Sequence, residues 1–247
     1  MEDVKFKQKV DNWLNEVANE CHKMAIQPDF DIDFYVFQSD IPKIANPKLL
    51  ILGINPGGSE NYTSAIKRLG KRRTADNLAQ GVNTYSRKPS WEWEDGSKGN
   101  DRMRDVLVGK QFKEDEEWYE ISNNNSVFNT KKLFEVLDEA IVMNMYYFNT
   151  KKETDLYSMC KMEQMEYCRK KTIELIEILN PENILFFTTS DKSLSLMGVK
   201  IKSKEGYVKE GYLGERKIIA IPHPTGYWRA YSYVNRGKIR EKLNQYC

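Results

Sequence analysis

Lys48-Leu49-Leu50-Ile51-Leu52-Gly53-Ile54-Asn55-Pro56-Gly57-Gly58-Ser59 is the stretch on which the fold turns. Residues 48–52 form a short apolar run without alternation, which predicts a strand buried on both faces. Gly53 ends it, and Asn-Pro-Gly is good turn chemistry. Working outward, three more short apolar runs stand at 140–144, 183–188 and 217–221. Helical spacing of Val4, Phe6, Val10, Trp13, Leu14 and Val17 predicts a helix over 3–24. Further helices are expected at 63–79, 101–109, 130–138 and 155–179, the last stopped by Asn180-Pro181. A short helix is expected at 193–197, a hairpin within 206–221 around Gly211 and Gly214, and a basic helix over 229–246. Residues 27–47, which hold the aromatic patch Phe34-Tyr35-Val36-Phe37, read as loop. Short apolar strands alternating with helices mean an α/β fold with a mainly parallel sheet.

The chain has 247 residues, enough for one large domain or two small ones, and neither repeats nor low-complexity linkers divide it. Hydrophobic residues at 40% and charged residues at 30% are an ordinary globular composition. No apolar run approaches a membrane span, and MEDVKFKQKVDNW lacks an apolar signal core, so neither secretion nor membrane insertion is expected. The balance of 38 Lys+Arg against 36 Asp+Glu leaves +2, so only the distribution of charge can speak about nucleic acid. Cys21, Cys160, Cys168 and Cys247 form no C-x-x-C pair, and His22 and His223 are the sole histidines. A zinc ribbon, disulfide framework or histidine-rich metal site is therefore not expected. Cys160 and Cys168 read as buried small apolar residues on one face of a single helix.

In open α/β sheets ligands bind beyond the carboxyl ends of the strands. Here the strands lead into Gly53–Ser59, Asn144, Thr188-Thr189-Ser190 and Pro222-His223-Pro224-Thr225-Gly226. The first segment fails both the Walker and the G-x-G-x-x-G patterns, and on spacing alone a plain strand-to-helix turn is favoured. His223 projects from a stiff segment between two prolines, and a structural and a functional role are equally open. His22 reads as surface or helix packing. Asn144 either satisfies backbone in the interior or reads a ligand's hydrogen-bonding edge. Lys67, Arg68, Lys71, Arg72 and Arg73 form a cluster with no acid among 61–75. The cluster is a solvated helix face or, with Arg229, a track for a phosphate backbone.

Together these residues resemble the uracil-DNA glycosylase superfamily. Gly53-Ile54-Asn55-Pro56-Gly57 is similar to the GINPG or GMNPG motif of its mismatch-specific and single-strand-selective branches. His223-Pro224-Thr225-Gly226 is similar to the HPS motif that opens the DNA-intercalating loop, with Thr in place of Ser. Asn144 falls where the family places its base-reading asparagine. The resemblance covers roughly residues 46–232. It implies a single domain over 1–247, an α/β/α sandwich around a four-stranded, mainly parallel sheet, with 1–45 as an N-terminal extension and 81–128 as an insertion.

The implied activity is hydrolysis of the N-glycosidic bond of uracil or a 5-substituted pyrimidine in DNA, after base flipping. Asn55 would position the attacking water, and His223 would stabilise the departing base anion. Gly53, Ile54, Gly57, Tyr85 and Asn144 would surround the base, with Tyr85 stacking on it. Ser59, Lys67, Arg72, Arg73, Thr225, Gly226 and Arg229 would contact DNA, and Tyr227 and Trp228 would fill the vacated stack. In the branch most restricted to uracil a tyrosine stands at the position of Gly57 and closes the pocket against C5 substituents, so this chain is expected to admit them unless Tyr62, Tyr85 or the 81–100 loop closes the pocket instead. The cysteine spacing does not supply the iron–sulfur ligands of four-cysteine members, so no cofactor is expected. The expected partner is DNA, without a membrane, bound by a monomer in the cytoplasm or, in a eukaryote, the nucleus. A non-catalytic nucleic-acid-binding module and a glycosidase for free nucleosides are the alternatives.

Overall fold

The computed structural model describes residues 2–58, 60–80, 135–137, 139–223, 239 and 241–243. All four apolar runs become strands: β1 (Leu49–Gly53), β2 (Ile141–Asn144), β3 (Asn183–Phe186) and, last in the chain, β6 (Arg216–Ala220). Two more, β4 (Lys200–Glu205) and β5 (Val208–Leu213), make a sheet of six strands rather than the expected four, in the order β2-β1-β3-β6-β5-β4. β3 and β6 pair in parallel, Ile184 opposite Ile218, whereas β5 is antiparallel to both β6 and β4. The fold is therefore α/β with a mixed sheet.

Burial explains which strands were legible. Leu49–Leu52 and Ile141–Asn144 are buried throughout, so no polar face interrupts their apolar runs. β4 is exposed at every residue; KIKSKE has one apolar side chain and no buried face to leave a pattern. Its hairpin to β5 turns at Gly206 (φ 58°), and the β5–β6 hairpin turns at Gly214 (φ 62°). Gly211 lies inside β5 rather than in a turn.

The helices are α1 (Glu2–Ala25), α2 (Tyr62–Leu69), α3 (Glu153–Met159), α4 (Met162–Leu179) and α5 (Asp191–Leu196), with a 3₁₀ turn at Ala75–Asn77. The helix expected over 63–79 stops at Leu69 because Gly70 takes the left-handed C-cap (φ 69°). The helix expected over 155–179 is two helices. Cys160 and Lys161 are extended, and Gln164 Oε1 accepts from Lys161 N–H at 2.7 Å to start α4 afresh. Cys160 and Cys168 thus lie on different segments, both buried. Asn180 ends α4 in the left-handed region (φ 48°), ahead of Pro181.

The chain divides into two compact units, one from the described parts of 1–47, 52–82 and 141–181, the other from those of 48–51, 83–140 and 182–247. In the first, α1 lies on α4, with Trp13 Nε1–H donating to Lys171 O at 3.0 Å and its ring edge-on to Tyr147. The aromatic patch at 34–37 is buried rather than an open loop. Gln38 N–H donates to Val142 O at 2.9 Å and Asn144 N–H to Val36 O at 3.0 Å, so the segment covers the free edge of β2. In the second, Ile184, Leu185, Phe186, Leu194, Ile218 and Ile219 form the core.

Candidate functional site

In the first unit the ends of β1 and β2 run on together. Met145 N–H donates to Gly53 O at 2.8 Å and Tyr146 N–H to Ile54 O at 2.9 Å, so Gly53-Ile54-Asn55 and Asn144-Met145-Tyr146 leave the sheet side by side. Asn144 lies over Gly53. A Cβ on residue 53 would stand 2.8 Å from Asn144 Oδ1, so this close approach requires glycine. Asn144 is 1% exposed, and its Oδ1 has no hydrogen-bond partner among the described residues. Leaving such an acceptor buried and unpaired costs about 1–3 kcal/mol.

Asn55, half-buried, is held differently. Its Nδ2 donates to Pro56 O at 3.0 Å, Thr150 O at 3.1 Å and Thr150 Oγ1 at 2.8 Å. Two of these acceptors are carbonyl oxygens, which fixes the amide orientation: NH₂ inward, Oδ1 outward. The Thr150 hydroxyl donates to Lys152 O at 3.0 Å, so it receives from Asn55. Oδ1 of Asn55 accepts from none of the described residues and is left for a ligand or a water.

Behind Thr150 is a buried polar network. Asn149 N–H donates to Asp33 O at 2.8 Å, and the Asp33 carboxylate holds Arg73 in a two-point pair, Nε to Oδ1 at 3.0 Å and Nη2 to Oδ2 at 2.6 Å. Both residues are buried. Arg73 N–H also donates to Tyr62 Oη at 3.2 Å, and that phenol meets His22 Nδ1 at 2.8 Å. Loss of water around His22, with the Arg72 charge nearby, lowers its pKa. Thr150, Asp33 and Asn149 were missed in the sequence. The available signals were a polar pair closing the apolar run Met145–Phe148 and an acid, Asp33, set between Ile32 and Phe34 in the aromatic stretch 30–37.

The network corrects one expected DNA contact. Arg73 is buried against Asp33 and cannot reach a phosphate. Two neighbours are also engaged, Arg68 with Glu60 at 2.7 Å and Lys71 with Asp76 at 2.7 Å. Exposed Arg72 donates to Asn19 Oδ1 at 3.2 Å, and exposed Lys67 has no partner among the described residues. Within the 67–73 cluster Lys67 and Arg72 therefore remain as the cations not paired with an acid among the described residues. Gly57 is exposed, with no atom of the described residues within 4 Å of an added Cβ. Tyr62 is 1% exposed, with its ring against Phe34.

His223 belongs to the second unit and follows β6. Its ring meets Phe187 edge-on at 5.4 Å, and removal from water pushes its pKa down to about 4. The imidazole is therefore neutral at pH 7 and carries no charge to offer a ligand. Ser59, Tyr85, Thr225, Gly226, Tyr227, Trp228 and Arg229 lie outside the described residues. Among the described residues no group of three His, Cys, Asp or Glu side chains converges as metal ligands, and no helix is long and apolar enough to cross a membrane. No known family model matches this chain, and no curated protein resembles it closely enough in sequence to count as a match.

Proposed function

We propose that this chain is a DNA glycosylase that removes uracil or a 5-substituted pyrimidine and leaves an abasic site. The observation that carries the reading is the anchored amide of Asn55: NH₂ held by Pro56 and Thr150, Oδ1 engaged by none of the described residues. An amide so fixed can accept a hydrogen bond from a water and aim its oxygen, but it is too weak a base to take the proton. The bond between the sugar C1′ and the base nitrogen therefore breaks first. The base leaves as an anion, water oxygen then bonds to C1′, and its proton passes to solvent. A neutral His223 N–H stabilises the departing anion. The Asn144 amide turns from Gly53 to the base edge as the base enters, which satisfies its unpaired Oδ1. Gly57 leaves space at C5, Lys67 and Arg72 face the phosphates, and the enzyme acts as a monomer without a cofactor. This reading carries with it the three-layer arrangement of the superfamily, with β4 and β5 as additions.

The test is single-turnover incubation with oligonucleotides carrying one altered base each, followed by alkaline cleavage. A nicked product from uracil or a 5-modified pyrimidine is expected. DNA binding without product from any base would mean a binding module, and release of base from free nucleosides alone would mean a nucleosidase.

A further inference from the structure

The second unit carries a separate cleft at the opposite ends of its strands. β4 and β5 pair Lys200 with Tyr212 and Ile201 with Gly211, then skip to Ser203 with Glu210, so Lys202 is the extra residue of a β-bulge. A bulge re-aims its side chain. Here Lys202 Nζ stands 4.3 Å from the centre of the Tyr212 ring. Gly211 permits the close approach, since a Cβ there would collide with the Lys200 carbonyl. The register places Asn183, Lys217, Tyr212 and Lys200 in one row and hence on one face. On that face is a cleft of about 280 Å³ walled by Asn183, Lys202, Ser203, Glu210, Tyr212 and Lys217.

The charge of the cleft is positive. Lys202 and Lys217 are exposed and make no ion pair among the described residues. Glu210, the one acid on the wall, accepts from Ser203 Oγ at 3.0 Å and pairs with Lys242 at 3.2 Å. Asn183 Nδ2 donates to Lys48 O at 3.3 Å, which turns its amide oxygen toward other donors. Lysines on β4 alone would be explained as protection of an edge strand. Lys217 is on β6, which is paired on both sides, so edge protection does not account for it.

We propose that this cleft binds the phosphate of a nucleotide, free or within a nucleic-acid strand, with Lys202 and Lys217 on the phosphate and Tyr212 and Asn183 against the base. Its volume lies just below the usual range for ligand sites, about 300–1,000 Å³, which limits the occupant to about one nucleotide. Lys217 stands near the start of β6 and His223 three residues beyond its end, so this site is distinct from His223 and does not depend on the glycosylase reading.

The test measures binding of inorganic phosphate, uridine monophosphate and a labelled single-stranded 12-mer to the full chain. The double variant Lys202→Ala/Lys217→Ala is expected to lose at least tenfold in affinity for the nucleotide or the 12-mer. For the 12-mer, the slope of log affinity against log salt should flatten by about 0.7 per lysine. Lys204→Ala, on the opposite face by register with Lys209, should stay within twofold of wild type. Lys202→Arg/Lys217→Arg should keep the binding. Loss with the nucleotide identifies a small-molecule site, and loss with the 12-mer alone identifies a strand contact; either sustains the proposal. Unchanged binding in the double variant, an equal loss in Lys204→Ala, or binding of neither the nucleotide nor the 12-mer more tightly than inorganic phosphate would overturn it.

Discussion

The Asn55 amide nitrogen stands 2.8 Å from Thr150 Oγ1, and that hydroxyl in turn donates to Lys152 O at 3.0 Å. Thr150 is buried and its hydroxyl is committed in both directions, so it orients Asn55 from behind and leaves the amide oxygen outward. Thr150→Val keeps the volume and removes the acceptor. One hydrogen bond is worth about 1 kcal/mol, so cleavage should slow about fivefold, with DNA affinity unchanged. Asn55→Ala should slow the chemical step further, again with DNA still bound. Single-turnover rates alongside binding isotherms check both. Equal rates in wild type and Asn55→Ala would remove Asn55 from the chemistry.

His223 makes two pH-dependent statements. Its folded pKa, about 4, lies below the ordinary value of 6.5. Between these values the unfolded chain binds a proton that the folded chain does not, so stability rises with pH across that window and is lost as pH falls through it. His223→Gln should remove that part of the slope, at most on the order of 3 kcal/mol between pH 6.5 and pH 4. His22, also lowered, is present in both proteins, so the difference between them isolates His223. Denaturant midpoints from pH 4 to 8 are the measurement. In catalysis, His223→Ala should cost about 10²–10³ in single-turnover rate. The wild-type rate should show no step near pH 6.5, because the imidazole is already neutral there. A step at 6.5 that vanishes in His223→Gln would contradict the neutral-donor role.

The Arg73–Asp33 pair predicts a clean separation of stability from DNA binding. Arg73→Ala leaves the Asp33 carboxylate buried and uncompensated, which costs about 3–5 kcal/mol. Adding Asp33→Asn should restore much of that loss. Folded Arg73→Ala/Asp33→Asn protein should bind DNA as wild type does, whereas Lys67→Ala/Arg72→Ala should weaken binding and flatten its salt dependence. A salt slope that falls in the Arg73 variant would show that the pair opens to phosphate.

The sequence carried the fold where burial left a pattern and failed where hydrogen bonding alone decided. β1, β2, β3 and β6 were legible because their side chains are packed, whereas β4 is exposed throughout and held to β5 only along one edge. Gly70 and the Cys160-Lys161 break cut helices whose apolar spacing runs on beyond them. At the site, Gly53, Asn55 and Asn144 were legible as polar or glycine residues beyond apolar runs. Thr150 was not, because an ordinary threonine has no spacing that announces a bond to Asn55. Arg73 misled for a related reason: its charge is visible in sequence, but its partner Asp33 lies 40 positions away in an aromatic stretch.

Gly57 sets the last expectation, the range of bases. No atom of the described residues lies within 4 Å of a Cβ added there, and its φ is outside the left-handed region, so the backbone accepts a side chain at this position. Gly58 differs: its φ of 148° favours glycine, and an added Cβ meets Asn149 at 3.8 Å. Tyr62, the nearest described tyrosine in sequence, is buried with its phenol held by Arg73 N–H and His22, so it is not free to wall off the space at Gly57. Wild type should therefore cleave 5-hydroxymethyluracil or a bulkier 5-modified cytosine at least as fast as uracil. Gly57→Tyr should hold uracil cleavage within about threefold, because a missing or added contact at C5 leaves the Watson–Crick edge untouched. It should lower cleavage of the 5-substituted bases tenfold or more, a loss in the range that a steric change in a pocket supplies, about 1–3 kcal/mol. The check is a panel of duplexes with uracil, thymine, 5-hydroxymethyluracil and 5-modified cytosines, run on both proteins. Strict uracil specificity in the wild type, unaltered by Gly57→Tyr, would show that another part of the chain sets the limit at C5.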